Sequence, residues 1–170
     1  MPLILLALVV AAFLVAEALR AARNERAQRA RGGVEPAGDV YRVMQVAYPG
    51  SFLAMIAEGA LRGLPGLPIV LAGAAVFASA KALKWWAILT LGSFWTFRVI
   101  VVPNAVLVHR GPYRALRHPN YVAVVGELVG VALMTGALAT GPLAVVVFGV
   151  LLLKRIAVED DALRGEALRP

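Results

Sequence analysis

Five apolar stretches set the possible fold of this chain: Pro2 to Leu19, Val43 to Leu61, Ile69 to Leu83, Tyr121 to Leu138 and Pro142 to Leu153. The first is about the length of one bilayer crossing as a helix. Composition agrees: 61% of the 170 residues are hydrophobic, and the mean hydropathy is +0.79. A soluble domain of this size has no use for so much apolar surface, so the sequence predicts an all-α integral membrane protein, one membrane domain over 1–170. The N-terminal run lacks a basic leading region, and Glu17-Ala-Leu-Arg20 opens a charged stretch. It therefore reads as a retained span rather than a signal peptide.

Punctuation between the spans is clear. Arginines at 20, 23, 26 and 29 continue the first helix with a basic stripe, and Gly32-Gly33 ends it. Pro49-Gly50 predicts a kink in the second span, and Leu64-Pro-Gly-Leu-Pro68 a tight turn. The Gly-, Ala- and Ser-rich third span permits close helix contact. Ala139-Thr-Gly141 joins the fourth and fifth spans into a hairpin whose two ends meet on one side.

The segment Lys84 to Val108 decides the topology. Thr96–Val102 and Ala105–Val108 around Pro103-Asn104 read as two short β-rich runs, not as a sixth crossing. With five spans, 20–42 carries six Lys and Arg, 81–118 six and 154–170 four, leaving Arg62 alone on the other face. The positive-inside rule then puts the N-terminus outside and the C-terminus in the cytoplasm, with Lys84-Trp85-Trp86 at the interface.

Charge and composition also exclude function classes. Without cysteine there is no disulfide, thiolate metal site or thiol chemistry. The two histidines lack a carboxylate at ligand spacing, so no metal is expected. The net charge of +7 suits anionic lipid; nucleic acid is not expected, because basic and aromatic residues do not interleave. No glycine-rich phosphate loop points to a nucleoside triphosphate.

Two polar clusters carry what chemistry there is. Arg114, Arg117, His118 and Tyr121 open the fourth span, and Arg155, Glu159, Asp160 and Asp161 close the fifth. The hairpin brings both to one mouth, with cations for a carboxylate and carboxylates for an ammonium, as an amino acid or its derivative requires. A plain salt-bridge cluster tying the hairpin ends is the alternative. Glu127 and Glu58 lie within spans, where a carboxylate is costly. Each is either satisfied within the bundle or functional, Glu127 then contacting an acceptor or serving as its base.

Gly111-Pro112-Tyr113-Arg114, then Arg117-His118-Pro119-Asn120-Tyr121, Gly130, and Arg155 with Glu159-Asp160 and Leu163 resemble the isoprenylcysteine carboxyl methyltransferase family of integral membrane enzymes. The likeness covers roughly 80–166, so the chain divides into an N-terminal three-helix part, 1–79, and a methyltransferase core, 80–166. The Arg-His-Pro-x-Tyr element also occurs in sterol-reductase-like membrane enzymes, and the Arg-x-x-x-Glu-acidic-x-x-Leu pattern tips the choice toward methyltransferase. What the resemblance implies is five transmembrane helices and a cytoplasmic pocket built from the loop 104–120 and the end of the C-terminal helix. S-adenosylmethionine would be the donor, and a lipophilic acceptor would enter from the bilayer.

Carried over residue by residue, His118 and Tyr121 would line the cofactor pocket. Glu159 would face the cofactor's charged end, and Arg155 would steady that arrangement as a catalytic residue beside Glu127. The backbone at Leu107, Val108 and Gly111 would approach the adenosine, with Tyr113 and Arg117 in support. The sequence departs from the family's pattern at Ala123, where a glycine is common. It departs again after Gly165-Glu166, where Ala-Leu-Arg-Pro follows and closure over the acceptor from that side is expected to be reduced.

The Ala- and Arg-rich composition and small size point to a bacterial inner membrane. Trp95-Thr-Phe-Arg98-Val-Ile-Val through Arg110-Gly-Pro-Tyr113, with Glu127 following, is more similar to bacterial members of the family; that resemblance implies the hydroxyl of an alkylpyrone or alkylresorcinol as acceptor, ahead of a prenylcysteine carboxylate. An NADPH-dependent membrane reductase and a non-catalytic lipid-binding subunit are the alternatives.

Overall fold

The computed structural model describes residues 1–103 and 105–167, with side chains through Gly165. Asn104, in the expected turn and cofactor loop, and Leu168 to Pro170 of the tail lie outside the described residues. Among the described residues five α-helices make the architecture: α1 Pro2–Ala30, α2 Tyr41–Arg62, α3 Leu67–Leu91, α4 Pro119–Thr135 and α5 Thr140–Ala167. Among the described residues there is no β-strand beyond one isolated bridge. Three helical stretches are long and apolar enough to cross a membrane, Pro2–Ala30, Leu67–Phe94 and Thr140–Gly165, and α4 is a shorter apolar helix.

The helix ends follow the local chemistry. α1 runs through the basic stripe, and Gly32 at φ 80° turns the chain away. α2 continues through Pro49. Gly136 takes the left-handed conformation after α4 at φ 67°, and the chain re-enters a helix at Thr140.

The third helix does not end at Leu83 but continues two turns further to Leu91, carrying Lys81, Lys84, Trp85 and Trp86 with it. The β-rich runs do not pair with each other. Val101 instead exchanges two backbone hydrogen bonds of 2.9 Å with Val34 in the α1–α2 linker. The linker satisfies those amides, so 95–103 lies as a strap across the end of the bundle.

Successive connections fall at opposite ends of the bundle. At one end Asn24 donates to the carbonyls of Gly92 and Trp95 at 3.0 and 2.7 Å, and Gln28 donates to Ser93 at 2.7 Å. At the other, the Glu58 carboxylate caps the start of α5, accepting from Thr140 N at 2.8 Å, Thr140 Oγ1 at 2.7 Å and Ala139 N at 3.0 Å. Small residues bring the helices close. A Cβ at Gly130 of α4 would stand 2.7 Å from the Phe77 amide of α3, and one at Gly73 of α3 would stand 2.7 Å from that of Met134. This is the backbone-to-backbone contact expected of the third span.

The main core packs Phe52, Met55, Leu128, Val131, Phe148 and Leu152. Large apolar side chains such as Ile4, Leu8, Leu53, Leu71, Val146 and Leu153 point outward, an apolar coat that suits hydrocarbon rather than water.

Inside the coat lies a buried charge cluster. Lys81 Nζ is 2.8 Å from both Glu17 and Glu127, and Lys84 Nζ is 2.7 Å from Glu17 and 3.3 Å from Glu127. Tyr48 donates to Glu127 at 2.5 Å. Two ammonium groups thus neutralise two carboxylates among α1, α3 and α4, and α2 adds the phenol. The positive-inside count includes Lys81 and Lys84 among the charges facing the lipid headgroups. Both are buried, so they leave that count, while 20–42, 98–117 and 154–164 still share one end.

Candidate functional site

The site lies at that basic end, where α4 begins and α5 runs out. His118 precedes α4, and Pro119 starts the helix with a ring that needs no N–H there. Tyr121, in the first turn, is the centre. Its hydroxyl accepts from Arg155 Nε at 2.9 Å and donates to Glu159 Oε2 at 2.6 Å. The guanidinium cannot give up its charge, so the phenol proton has one direction to take, toward Glu159. Arg155 and Glu159 stand one helical turn apart on α5 and present both groups to one face.

His118 stacks on Tyr121 with ring centroids 5.3 Å apart. Its Nδ1 lies 3.9 Å from Glu159 and its Nε2 3.5 Å from Asp160. That Nε2 is buried and has no hydrogen-bond partner among the described residues. Arg117 reaches Asp160 at 3.5 Å from an exposed position. The structure therefore brings His118, Tyr121, Arg155 and Glu159 together, with Arg117 and Asp160 at the edge.

Arg155 is buried and fully engaged. Besides Tyr121 it donates to Asp39 Oδ1 at 3.2 Å and to the Phe97 carbonyl. Asp39 in turn accepts from the amides of Val99 at 2.9 Å and Tyr41 at 3.1 Å. The linker makes a second clasp nearby. Glu35 accepts from Arg98 at 2.7 Å and Arg29 at 2.8 Å. Burial alone would raise the Glu35 carboxyl, but the two arginines outweigh it and hold it below its ordinary value.

The other expected residues spread along the loop before α4. Gly111 sits at φ 58°, and a Cβ there would stand 2.5 Å from Thr90 Oγ1 and 3.2 Å from Trp86 Nε1, so glycine alone lets the loop rest on the end of α3. Burial and, after it, the Glu159 charge push the Tyr113 phenol above its ordinary value. Leu107 is exposed and Val108 half-buried, both outside any helix or strand. Arg114 and Asp161 are exposed. Glu127 is not brought to this cluster. It lies six residues beyond Tyr121 along α4, about 9 Å down the axis, within the buried charge cluster.

Sequence reasoning missed Asp39, the Phe97 carbonyl and the pairing of Glu17 with Lys81 and Lys84. Asp39 sits in a Gly- and Pro-containing linker with no pattern to mark it. The buried pairs did leave a signal: charges of both signs inside apolar helices each need a partner.

Residues 71–165 match the model of the isoprenylcysteine carboxyl methyltransferase (ICMT) family. That segment runs from α3 to the end of α5 and holds every residue of the cluster except Asp39. The chain is 33% identical over 154 residues to the uncharacterized protein YpbQ of Bacillus subtilis, covering 91% of this chain and 92% of that one. It is 25% identical over 142 residues to an uncharacterized protein of Haemophilus influenzae, covering 83% of each. No solved structure matches the chain.

Proposed function

As this chain belongs to the isoprenylcysteine carboxyl methyltransferase family, we propose that it transfers a methyl group from S-adenosylmethionine to a lipophilic acceptor at the membrane interface. The observation that carries the reading is the His118–Tyr121–Glu159–Arg155 cluster, where the start of α4 meets the C-terminal part of the matched segment.

The residues present fit that cofactor. Glu159 keeps 31% of its side chain exposed beside the His118 ring, whose Nδ1 lies 3.9 Å away, so a part-exposed carboxylate flanked by an aromatic ring is available to a polar, cationic ligand. Tyr121 and Arg155 hold the carboxylate in place. The backbone from Leu107 to Gly111, with Tyr113 and Arg117, forms the rest of the proposed cofactor wall. When bound, S-adenosylmethionine supplies a methyl group on a sulfonium whose charge is lost on transfer. The protein's part is to align the two partners and exclude water.

For Glu127 the geometry favours a holding role over that of a base, since two ammonium groups and a phenol already take its oxygens. On the outer face of the same helices, Ala75, Ser79, Leu83, Val122 and Gly126 line an apolar groove of about 400 Å³. That groove supports entry of the acceptor from the bilayer. We take all five helices to cross the membrane, α2 and α4 included, because their connections alternate between the two ends. The basic end with the site then faces the cytoplasm of a bacterial cell, with the N-terminus outside.

A hydroxyl acceptor of the alkylpyrone or alkylresorcinol type is favoured over a prenylcysteine carboxylate, and the two bacterial relatives support that setting. The test is a radiolabelled-methyl assay on long-chain phenols, alkylpyrones and farnesylated cysteine analogues. Transfer to a phenol or pyrone is expected. A base-labile ester on the cysteine analogue alone would reverse the acceptor choice. Binding of a nicotinamide cofactor, with no transfer to any acceptor, would defeat the reading.

A further inference from the structure

We infer that Asp39, in the α1–α2 linker and outside the family-matched segment, is a positioning residue for the cofactor site, acting through Arg155. This rests on the function proposed above.

The chain of contacts is continuous. Asp39 Oδ1 accepts from Arg155 at 3.2 Å, Arg155 Nε donates to Tyr121 at 2.9 Å, and Tyr121 donates to Glu159 at 2.6 Å. The Asp39 and Arg155 side chains are only 3% and 7% exposed, so neither charge is answered by water. Asp39 is the carboxylate that pairs directly with Arg155 among the described residues, while Tyr121 and the Phe97 carbonyl take its other donors. A buried guanidinium deprived of its carboxylate would turn toward the next one, Glu159. That movement would displace the Tyr121 hydroxyl and draw Glu159 out of the position from which it faces a ligand.

Asp39 also fixes the strap. Its Oδ2 accepts the Val99 amide at 2.9 Å, and the strap continues into the loop of Leu107, Val108 and Gly111. One carboxylate in the linker therefore holds both walls of the proposed site: the Arg155 face of α5 and the chain leading to the loop before α4. Glu35 grips the same strap through Arg98 without touching Arg155, which provides a control for linker docking alone.

The experiment compares D39N, D39E and E35Q in the full-length protein in detergent, with S-adenosylhomocysteine titrated by calorimetry. D39N keeps the size and loses the charge. Its Kd is expected to rise roughly tenfold or more, the loss of one charge-assisted hydrogen bond. D39E keeps the charge and recovers part of that loss, and E35Q stays within about twofold of the parent. In a cycle with R155K, adding D39N causes no further loss, because Asp39 acts through the guanidinium. If D39N yields no monodisperse protein, D39E carries the test, with a rise of about threefold expected from the misplaced carboxylate.

An unchanged Kd in D39N, or in D39E where D39N does not fold, overturns the inference. So does an equal loss in E35Q. A readout without cofactor separates this claim from the functional one. Hydrogen exchange over Thr96 to Val102 should accelerate in D39N, whether or not S-adenosylhomocysteine binds. A parent protein that binds none defeats the function; unaccelerated exchange in D39N defeats the role of Asp39.

Discussion

Tyr121 shows how much one hydroxyl can organise. It takes a proton contact from Arg155 and passes its own to Glu159. Y121F removes both contacts at once and leaves two charged groups facing each other without the phenol between them. A stability loss of about 1–3 kcal/mol is expected, measured by thermal unfolding in detergent, with weaker binding of S-adenosylhomocysteine. Glu127 gives a second test at this scale. E127Q strips one carboxylate from Lys81 and Lys84, and breaking a buried pair in this way costs about 3–5 kcal/mol. Removing the excess charge as well, in E127Q with K84M, should be less damaging than the sum of the single changes. If E127Q unfolds like the parent and only turnover falls, Glu127 is an acceptor-side base rather than a bundle-holding ion. The pairing of Glu127 with Lys81 and Lys84 was not visible from spacing, because the partners sit on different helices, whereas the hairpin already brought Tyr121 to the α5 cluster. The pair Arg155 and Glu159 was visible, because one helical turn fixes it.

At the scale of elements, the contact of α3 with α4 depends on residues without bulk. Gly130 approaches the Phe77 backbone so closely that an added Cβ must push the helices apart. G130A is expected to destabilise by about 1–3 kcal/mol, read as a lower unfolding temperature; an unchanged one would contradict the close packing. The strap is held differently, by charge. The Glu35 carboxyl is kept below its ordinary value by Arg98 and Arg29. Its contribution to holding the strap is therefore present above the ordinary glutamate range, near about 4.3, and is lost as pH falls through the lowered value. Hydrogen exchange over Thr96 to Val102 should show loosening on acidification that E35Q already displays at neutral pH. The apolar spans and their turns were legible because period and punctuation are local. The strap was not, because Val101 finds its partner 67 residues back, at Val34, and a sequence run rich in valine looks the same whichever strand it meets.

For the whole molecule, the arrangement of the ends is the main result. Basic segments that are far apart in sequence gather at one end with the site, and Arg62 stays at the other beside Glu58. The charge count anticipated this even though it included two lysines that the bundle buries, because the remaining arginines already lay on one side. The chain has no cysteine, so single cysteines at positions 30, 65 and 112 report orientation cleanly. Positions 30 and 112 should be protected from a membrane-impermeant thiol reagent in intact cells and position 65 labelled. Labelling of position 112 from outside would invert the topology.

Calorimetry with S-adenosylhomocysteine reads out whether the proposed Tyr121–Glu159 mouth binds S-adenosylmethionine. The purified protein should bind, and E159Q, which removes the charge with little change in size, should bind more weakly by about 1.5–3 kcal/mol. No binding by the parent protein in several detergents and in lipid nanodiscs would rule out the proposed cofactor, and equal binding by parent and E159Q would rule out Glu159 as its contact.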